Sequence, residues 1–414
     1  MKFLIIGNGG REDAIAWKLL QSTKVERVHI LPRSVRKNPK LTSHDIEIDK
    51  HDDILKLSLK ESIDIVIIGP EIPLCAGLSD LLRKNKIKVF GPSKKAAQLE
   101  GSKAFAKKMM KEFSIPTASS IETNDYNEAI TYVQDFNKWP IVIKADGLAS
   151  GKGVLIAREM GEAQDFLQKV LEEDVFNSGK KVVIEEFLDG VEFSLLAFVN
   201  RSGIFPLKVV RDYKKAYDGD KGLNTGGMGI ITSLADITDE DIEYGVEKIV
   251  KPIIKGLSEK GIEYEGVLYA GLMKTKTGIY TIEFNVRFGD PETEGLMPII
   301  ENDLADIFDK MVNHKPITIR YNLKSCIGVV VAKEGYPSIY SKGATLNIPN
   351  NLKYFNMGIS ENNKGELISN GGRVILAYEV ADTIQEARKN IYAKLKTLEN
   401  NKEFFFRKDI GKEK

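Results

Sequence analysis

The sequence predicts a multidomain protein of mixed α/β and α+β class: an open parallel α/β unit, a mixed central unit and a mostly antiparallel last part. Three observations carry this. Short apolar runs alternate with helical patterns through the first hundred residues, glycines and carboxylates cluster around strands between residues 144 and 295, and the pattern changes again after "HKPITIRYN". At 414 residues the chain exceeds one ordinary core, and domain sizes give roughly two to four units. Boundaries are expected at 1–101, 102–315 and 316–414.

The first unit opens on "KFLIIG", an apolar run that ends at a glycine loop and therefore reads as a buried strand, not a signal peptide. A helix from about Arg11 to Ser22, "RVHIL", "IDIVIIG", a helix near Gly77 to Lys84 and "IKVFGP" follow. Strand, crossover and strand in this rhythm predict a parallel sheet with helices on its faces. In the second unit, "SKAFAKKMMKEFSIP" has apolar residues at helical spacing and stops at Pro116. "KWPIVIKADG" is a buried strand feeding a glycine loop, "KKVVIEEFLDG" a strand running into a turn, and "VEFSLLAFVN" the next strand. In the third, "SCIGVVVA", "GGRVILAYEV" and a helix from about Thr383 to Leu398 suit an antiparallel, partly exposed sheet with helical cover. "PNNLKYFNMGISENNKG" reads as the most polar, loop-like passage, and "FFFRKDIGKEK" as a short apolar strand with a charged end.

Composition narrows the partners. Sixty Lys and Arg against 59 Asp and Glu leave no field that would draw the chain to nucleic acid or a membrane, so small molecules are expected. Cys75 and Cys326 form no CxxC pair, which excludes disulfide scaffolds and zinc sites and fits a reducing cytoplasm. His29, His44, His51 and His314 have no Ser, Cys or carboxylate beside them in a triad pattern. No apolar stretch approaches membrane-spanning length.

Five stretches carry candidate chemistry. "IIGNGGREDA" follows a strand and opens a helix, where amides can receive a phosphate or carboxylate; it is not a strict GxGxxG, and a tight turn without ligand is the alternative. In "KADGLASGKG" three residues, not four, stand between Gly147 and Gly151 and no Ser or Thr follows Lys152, unlike a P-loop. Lys144 ends a buried strand, where a charge needs a cleft or partner, and Gly147, Gly151 and Gly153 let backbone fold over an anion. "VVIEEFLDGVEFS" sets Glu185, Glu186 and Glu192 around a turn, either as exposed acids of a hairpin or as a reader of an adenine edge and ribose. "DYKKAYDGDKGLNTGGMG" suits a substrate loop or a flexible linker. "YTIEFNVRFGDPET" is the most specific: Glu283 and Asn285 share one strand face, two oxygen ligands suit Mg²⁺, and Arg287 is two residues further along the same face.

Together the strand lysine before a glycine loop, the paired glutamates and "EFNVRFGDPET" resemble the ATP-grasp ligases. With "GNGGRE", "GPEIPL", "SKAFAK", "AKEGYP" and "GGRV" in order along nearly the whole chain, the sequence is similar to the phosphoribosylamine-glycine ligase family of purine synthesis. That resemblance implies a central ATP-grasp domain with a mobile lid at about 120–190. It also implies ATP-dependent phosphorylation of glycine and attack by 5-phosphoribosylamine, with Mg²⁺ or Mn²⁺ as cofactor. Lys107 and Lys144 would contact ATP phosphates under the loop Gly147, Ser150, Gly151 and Gly153. Glu185, Glu186 and Leu188 would lie at the adenine and Glu192 at the ribose, while Glu283 and Asn285 would hold the metal. Asp212, Thr225, Gly226, Gly227, Arg287, Gly289 and Asp290 would line the glycine and acyl-phosphate side, with Arg287, Asp212, Asp290 and Lys144 catalytic. Gly9, Gly10, Arg11 and Glu12 would sit near the ribose phosphate. A monomer or weak dimer is expected.

The chain also departs from the family pattern. Asp13 stands where His is usual, "LPRSVRKN" replaces a "PGNAG"-like loop, Lys215 replaces Arg, "NMGI" replaces an "HAGT"-like segment, and Glu294 replaces the Gln of "PETQ". Arg33, Arg36 and Lys37 offer charge in place of the lost glycines; the alternative is a paralogous ligase with a different amine acceptor. A catalytically silent nucleotide sensor is a third class, disfavoured by the intact Lys144, Glu283, Asn285 and Arg287.

Overall fold

The computed structural model describes residues 1–136, 138–148, 153–177 and 179–412. Five strands, β1 (Lys2–Ile6), β2 (Arg27–Leu31), β3 (Leu41–Ser43), β4 (Ile65–Ile68) and β5 (Lys88–Phe90), form a wholly parallel sheet in the order β3-β2-β1-β4-β5. Their apolar runs are explained by burial on both faces: Phe3 and Ile5 enter one core, Leu4 and Ile6 the other. The order reverses between β1 and β4, so the turns after Ile6 and Ile68 splay apart and leave a crevice at the strands' carboxyl ends.

Helix α1 (Gly10–Leu19) follows β1, and α2 (His51–Lys60) precedes β4. The helix expected near Gly77 is two, α3 (Glu71–Ala76) and α4 (Leu78–Lys84), separated by Gly77 at φ 98°, a left-handed conformation that ends one helix and that glycine adopts without strain. Two more helices, α5 (Gln98–Gly101) and α6 (Lys103–Glu112), lead into the centre of the chain. The Ser102 hydroxyl accepts from the Phe105 amide at 3.1 Å, an N-cap worth about 1 kcal/mol.

A four-stranded antiparallel sheet in the order β6-β9-β7-β8 comes next, built from β6 (Ser120–Thr123), β7 (Ile141–Ala145), β8 (Val154–Ala157) and β9 (Val182–Glu186). Helices α7 (Tyr126–Phe136) and α8 (Met160–Leu171) cover one face and give it a separate apolar core around Val133, Ile143, Leu167 and Ile184. The glycine loop joins β7 to β8, two antiparallel strands, whereas a P-loop joins a strand to a helix.

The next strands are β10 (Val191–Asn200) and β11 (Gly203–Pro206), then four short ones: β12 (Arg211–Asp212), β13 (Lys215–Tyr217), β14 (Lys221–Asn224) and β15 (Gly229–Ile231). Helices α9 (Asp239–Gly245) and α10 (Lys251–Glu259) precede β16 (Gly266–Thr275) and β17 (Gly278–Asn285). A second antiparallel sheet runs β11-β10-β16-β17. After α11 (Glu292–Leu296) and α12 (Leu304–Val312) come β18 (Ser325–Lys333), β19 (Tyr354–Asn356), β20 (Ile359–Glu361), β21 (Leu367–Ser369), β22 (Arg373–Ala381), α13 (Ile384–Leu395) and β23 (Phe404–Phe405).

Two findings revise the sequence reading. The last sheet, β12-β15-β18-β22-β19, takes in two strands from residues 211–231, which brings Asp212 and the glycines of "NTGGMG" beside Arg373. The "polar loop" around residue 355 contains β19 and β20. Phe355, Met357 and Ile359 are buried at every second position, the strand period, inside an otherwise polar passage.

Candidate active site

A cleft of about 380 Å³ opens where the turns after β1 and β4 meet α6, the β7–β8 hairpin, β17 and the start of β22. One end is lysine-rich. Lys144, nearly buried on β7, pairs with Glu185 Oε2 at 2.9 Å and donates to the Ile282 carbonyl at 3.1 Å. Lys107 on α6 pairs with Glu185 Oε1 at 3.2 Å and donates to the Thr117 hydroxyl at 2.7 Å. One helical turn before it, Lys103 donates to the Gly147 carbonyl at 2.7 Å. Burial lowers the pKa of both Lys103 and Lys107, with Lys144 adding repulsion in each case. Three cations thus converge with too few anions to satisfy them.

The glycine loop is hung from the start of α6. Asp146 Oδ1 accepts from the Ala104 amide at 3.3 Å and from the Gly147 amide at 3.0 Å, and Asp146 Oδ2 accepts from the Ser102 hydroxyl at 3.2 Å. Gly147 and Gly153 line the cleft; Ser150 and Gly151 lie outside the described residues.

Glu283 and Asn285 project from β17 into the middle of the cleft. Burial works to raise the Glu283 pKa, and Lys214, Lys144 and Lys103 outweigh it, so the carboxyl is held below the usual glutamate range. Arg287 lies between them and the far end. Glu100 Oε1 stands 2.8 Å from it and Glu71 Oε2 3.4 Å, and its guanidinium also reaches Asn285 Oδ1 at 3.4 Å. Glu100 is pushed up to about 7 by burial, with Glu71 and Glu283 adding repulsion against the pull of Arg287.

The far end is built from pairs. Arg373 Nη2 approaches Asp290 Oδ1 at 2.8 Å, and Arg373 Nη1 donates to the Gly226 carbonyl. The Arg11 amide donates to Asp290 Oδ2 at 3.4 Å and the Arg11 guanidinium to the Phe288 carbonyl at 3.0 Å. Asp212 lines the wall with Oδ1 unpartnered among the described residues; burial and then Glu292 raise its pKa. A Cβ on Gly227 would stand 2.5 Å from that oxygen, at a φ of 107°, so glycine is required. Thr225 accepts from the Gly227 amide at 3.0 Å and shapes the same turn.

The cleft therefore gathers Lys107, Lys144, Gly147, Gly153, Glu185, Asp212, Thr225, Gly226, Glu283, Asn285, Arg287, Asp290 and Arg11 from the predicted set. Others stand behind its wall. The Glu12 carboxylate accepts from the Gly9 amide at 2.8 Å and closes the turn at the start of α1, buried beneath Gly7 and Gly69. Gly10 and Gly289 are buried against Glu294 and Glu292. Glu192 pairs with Lys214, Glu186 accepts from the Ser119 amide at 2.9 Å, and Leu188 lies in the turn after β9. The Glu185 carboxylate, expected at an adenine, bridges the two lysines.

Residues the sequence reading did not assign include Lys103, Lys214, Glu71, Glu100, Glu292 and Arg373. Lys103 had a signal, its one-turn spacing from Lys107 in "SKAFAK". Glu71 in "GPEIPL" follows β4 at the switch point, which is a second signal.

Three of the sequence departures meet in space. Arg36 donates to both Asp13 oxygens at 2.6 Å, and the Asn356 amide nitrogens, backbone at 2.7 Å and side chain at 3.2 Å, complete the carboxylate. Asp13 is buried and Arg36 half-buried, so the Arg36 guanidinium is engaged by Asp13 within the fold. Lys37 pairs with Glu361 at 2.7 Å, and Arg33 is exposed with no ion pair to the described residues.

The profile described as phosphoribosylglycinamide synthetase, ATP-grasp (A) domain, matches residues 101–293; the N domain of the same family matches 1–100 and its C domain 326–413. Phosphoribosylamine--glycine ligase of Lactococcus lactis is 43% identical over 415 residues, covering 99% of both chains. The crystal structure of phosphoribosylamine--glycine ligase from Thermotoga maritima superposes with a TM-score of 0.84 at 32% identity, over 99% of this chain and 100% of that one. The biotin carboxylase domain of Hydrogenobacter thermophilus 2-oxoglutarate carboxylase shares the fold, with a TM-score of 0.73 at 17% identity over 98% and 90% of the two chains.

Proposed function

The chain belongs to the phosphoribosylglycinamide synthetase family, and from that premise we infer that it is an ATP-dependent carboxylate–amine ligase of purine biosynthesis. It joins glycine to 5-phosphoribosylamine and yields glycinamide ribonucleotide, ADP and phosphate. The polarity of the cleft carries the reading at the level of chemistry: under-neutralised lysines at one end, a carboxylate-and-amide pair in the middle and a ring of paired charges at the other. A triphosphate and a carboxylate repel each other, and such a gradient lets them approach.

In this proposal Lys107, Lys144 and Lys103 hold the phosphates beneath the loop 147–153, and the backbone of residues 186–188 offers an adenine edge, with Glu192 at the ribose. Glu283 and Asn285 fit a divalent cation, Mg²⁺ or Mn²⁺. Two adjacent oxygen donors, one kept ionised by three lysines, suit a hard ion that completes its shell with water and phosphate. Such a cation would offset the phosphate charge when bound. Arg287, held by Glu71 and Glu100, and Asp212 with the turn Thr225–Gly227 receive glycine and its acyl phosphate. Asp290 lines the same side and, with Arg11 and Arg373, closes it toward the amine. The amine is already nucleophilic, so no histidine base is needed, which agrees with the scarcity of histidine.

We assign the acceptor-side domain to 1–101, the catalytic domain to 102–315 with a lid at about 120–190, and the last domain to 316–414. Its own apolar core supports a lid that moves as a unit and keeps water from the acyl phosphate. A cytoplasmic monomer or weak dimer is the proposed state; no helix among the described residues is long and apolar enough to cross a membrane. The test is purified protein with Mg-ATP, glycine and freshly generated phosphoribosylamine, followed for ADP and amide. Glycine-dependent ADP release with no phosphoribosylamine consumed would reject the acceptor and favour a different amine.

A further inference from the structure

Glu294 is fully buried, and neither of its carboxyl oxygens has a hydrogen-bond partner among the described residues. Its side chain lies against the first turn of α1: a Cβ on Gly10 would overlap the carboxyl, and Met357 closes the same space. Four residues earlier, Asp290 reaches the cleft and meets Arg373 and the Arg11 amide. The charged groups around Glu294 are Asp290 from its own segment, Arg373 from the start of β22 and Arg11 from α1. Burial and then Asp290 raise its pKa far above the glutamate range, against the pull of Arg373.

We propose that Glu294 is a positioning residue of the acceptor end, held as the neutral acid so that Asp290, and not two adjacent carboxylates, faces Arg373. This rests on reading that end as the amine site. The reason is geometric. An ionised carboxylate with no partner in this pocket would draw the guanidinium of Arg373 toward itself. Arg373 also holds the Gly226 carbonyl and approaches the Asp290 carbonyl at 3.3 Å, so that displacement would loosen both the Gly226 turn and Asp290. Glutamine has the same shape and no charge at any pH, so it should substitute.

The experiment compares the full-length wild type with Glu294→Gln. At neutral pH the two should agree within about threefold in kcat/KM for phosphoribosylamine, with unchanged KM for ATP. As pH rises the wild type should fall tenfold or more below the variant, because ionisation of Glu294 is the step the variant lacks. Wild-type stability should also fall relative to the variant above the ordinary glutamate pKa, since the folded state keeps a proton that the unfolded chain has released. Infrared difference spectra should show a protonated carboxylic acid band in the wild type that Glu294→Gln lacks. Superimposable pH profiles overturn the positioning role, and so does a tenfold loss in the variant at neutral pH with an unchanged melting temperature. Absence of the acid band overturns the neutral state. If the wild type turned over no phosphoribosylamine, the assigned acceptor would fail, while the band and the stability profile would still decide the protonation of Glu294.

Discussion

At the lysine-rich end of the cleft, Lys103, Lys107 and Lys144 converge on the carboxylates of Glu185 and Glu283, and burial weakens the hold of Lys103 and Lys107 on their protons. At the far end Arg373 closes on Asp290, and behind the cleft wall Arg36 closes on Asp13 and Lys37 on Glu361. In the proposed reading the lysine-rich end receives an outside polyanion, which explains why its cations are short of partners. Asp13, Arg36 and Asn356 neutralise one another, and their mutual hydrogen bonds make them one unit.

The contrast predicts different failures for substitutions at the two ends. Glu283→Gln removes the one ionised donor from the middle of the lysine field, and turnover should fall by about a thousandfold. Steady-state ADP release measures it, and the variant should stay folded, its melting temperature lowered only by the charge that Lys214, Lys144 and Lys103 lose. Activity within tenfold of wild type would remove Glu283 from the proposed metal pair. Asp13→Ala should do the opposite. It leaves Arg36 without its carboxylate, in a half-buried site, at a cost of about 3 kcal/mol of stability in urea unfolding. The KM for ATP should stay unchanged. If Asp13→Ala instead left stability intact and raised only the KM for the amine, the interlock would be a ligand site rather than a structural joint.

Much of this was legible in the sequence. The parallel sheet announced itself through apolar runs, and the two-residue period of "EFN" put Glu283 and Asn285 on one strand face, where both line the cleft. Glu100 was not legible: "LEGSK" reads as an ordinary helix start, and only the fold brings that carboxylate 2.8 Å from Arg287. The same holds for Arg373, which starts a strand 83 residues beyond Asp290 in the chain. Asp13, Arg36 and Asn356 were visible as separate departures, but nothing in a linear sequence says that they touch. The strands around residue 355 had a signal, apolar residues at 355, 357 and 359, that polar neighbours masked.

Between the two ends, Glu100 offers a pH test. Its carboxyl is pushed up to about 7, so it gains charge as pH rises through 7, and only the charged form holds Arg287 strongly. Activity should therefore fall about tenfold for each pH unit below 7, a limb that Glu100→Gln should lack. Stability runs the other way. Between the ordinary glutamate range near 4.5 and about 7, the folded state retains a proton that the unfolded chain releases, so wild-type stability declines with rising pH across that window and then levels off. An acid limb that persists in Glu100→Gln would assign it to another group.

The smallest effects separate the cations of "LPRSVRKN". Lys37 and Glu361 form a largely exposed pair, and Lys37→Ala should change stability by less than about 0.5 kcal/mol and leave the KM for phosphoribosylamine alone. Arg33 is different in kind, because it is exposed beside Asn8, whose side chain donates to the Arg33 carbonyl at 3.1 Å, and it has no ion pair among the described residues. If this loop receives the sugar phosphate, Arg33 is the member left to do it. Arg33→Ala should then raise the KM for phosphoribosylamine about fivefold, about 1 kcal/mol of a charge-assisted hydrogen bond, with kcat unchanged. An equal and negligible effect from Arg33→Ala and Lys37→Ala would take the loop out of phosphate binding, leaving it to hold the acceptor end together through Arg36 alone.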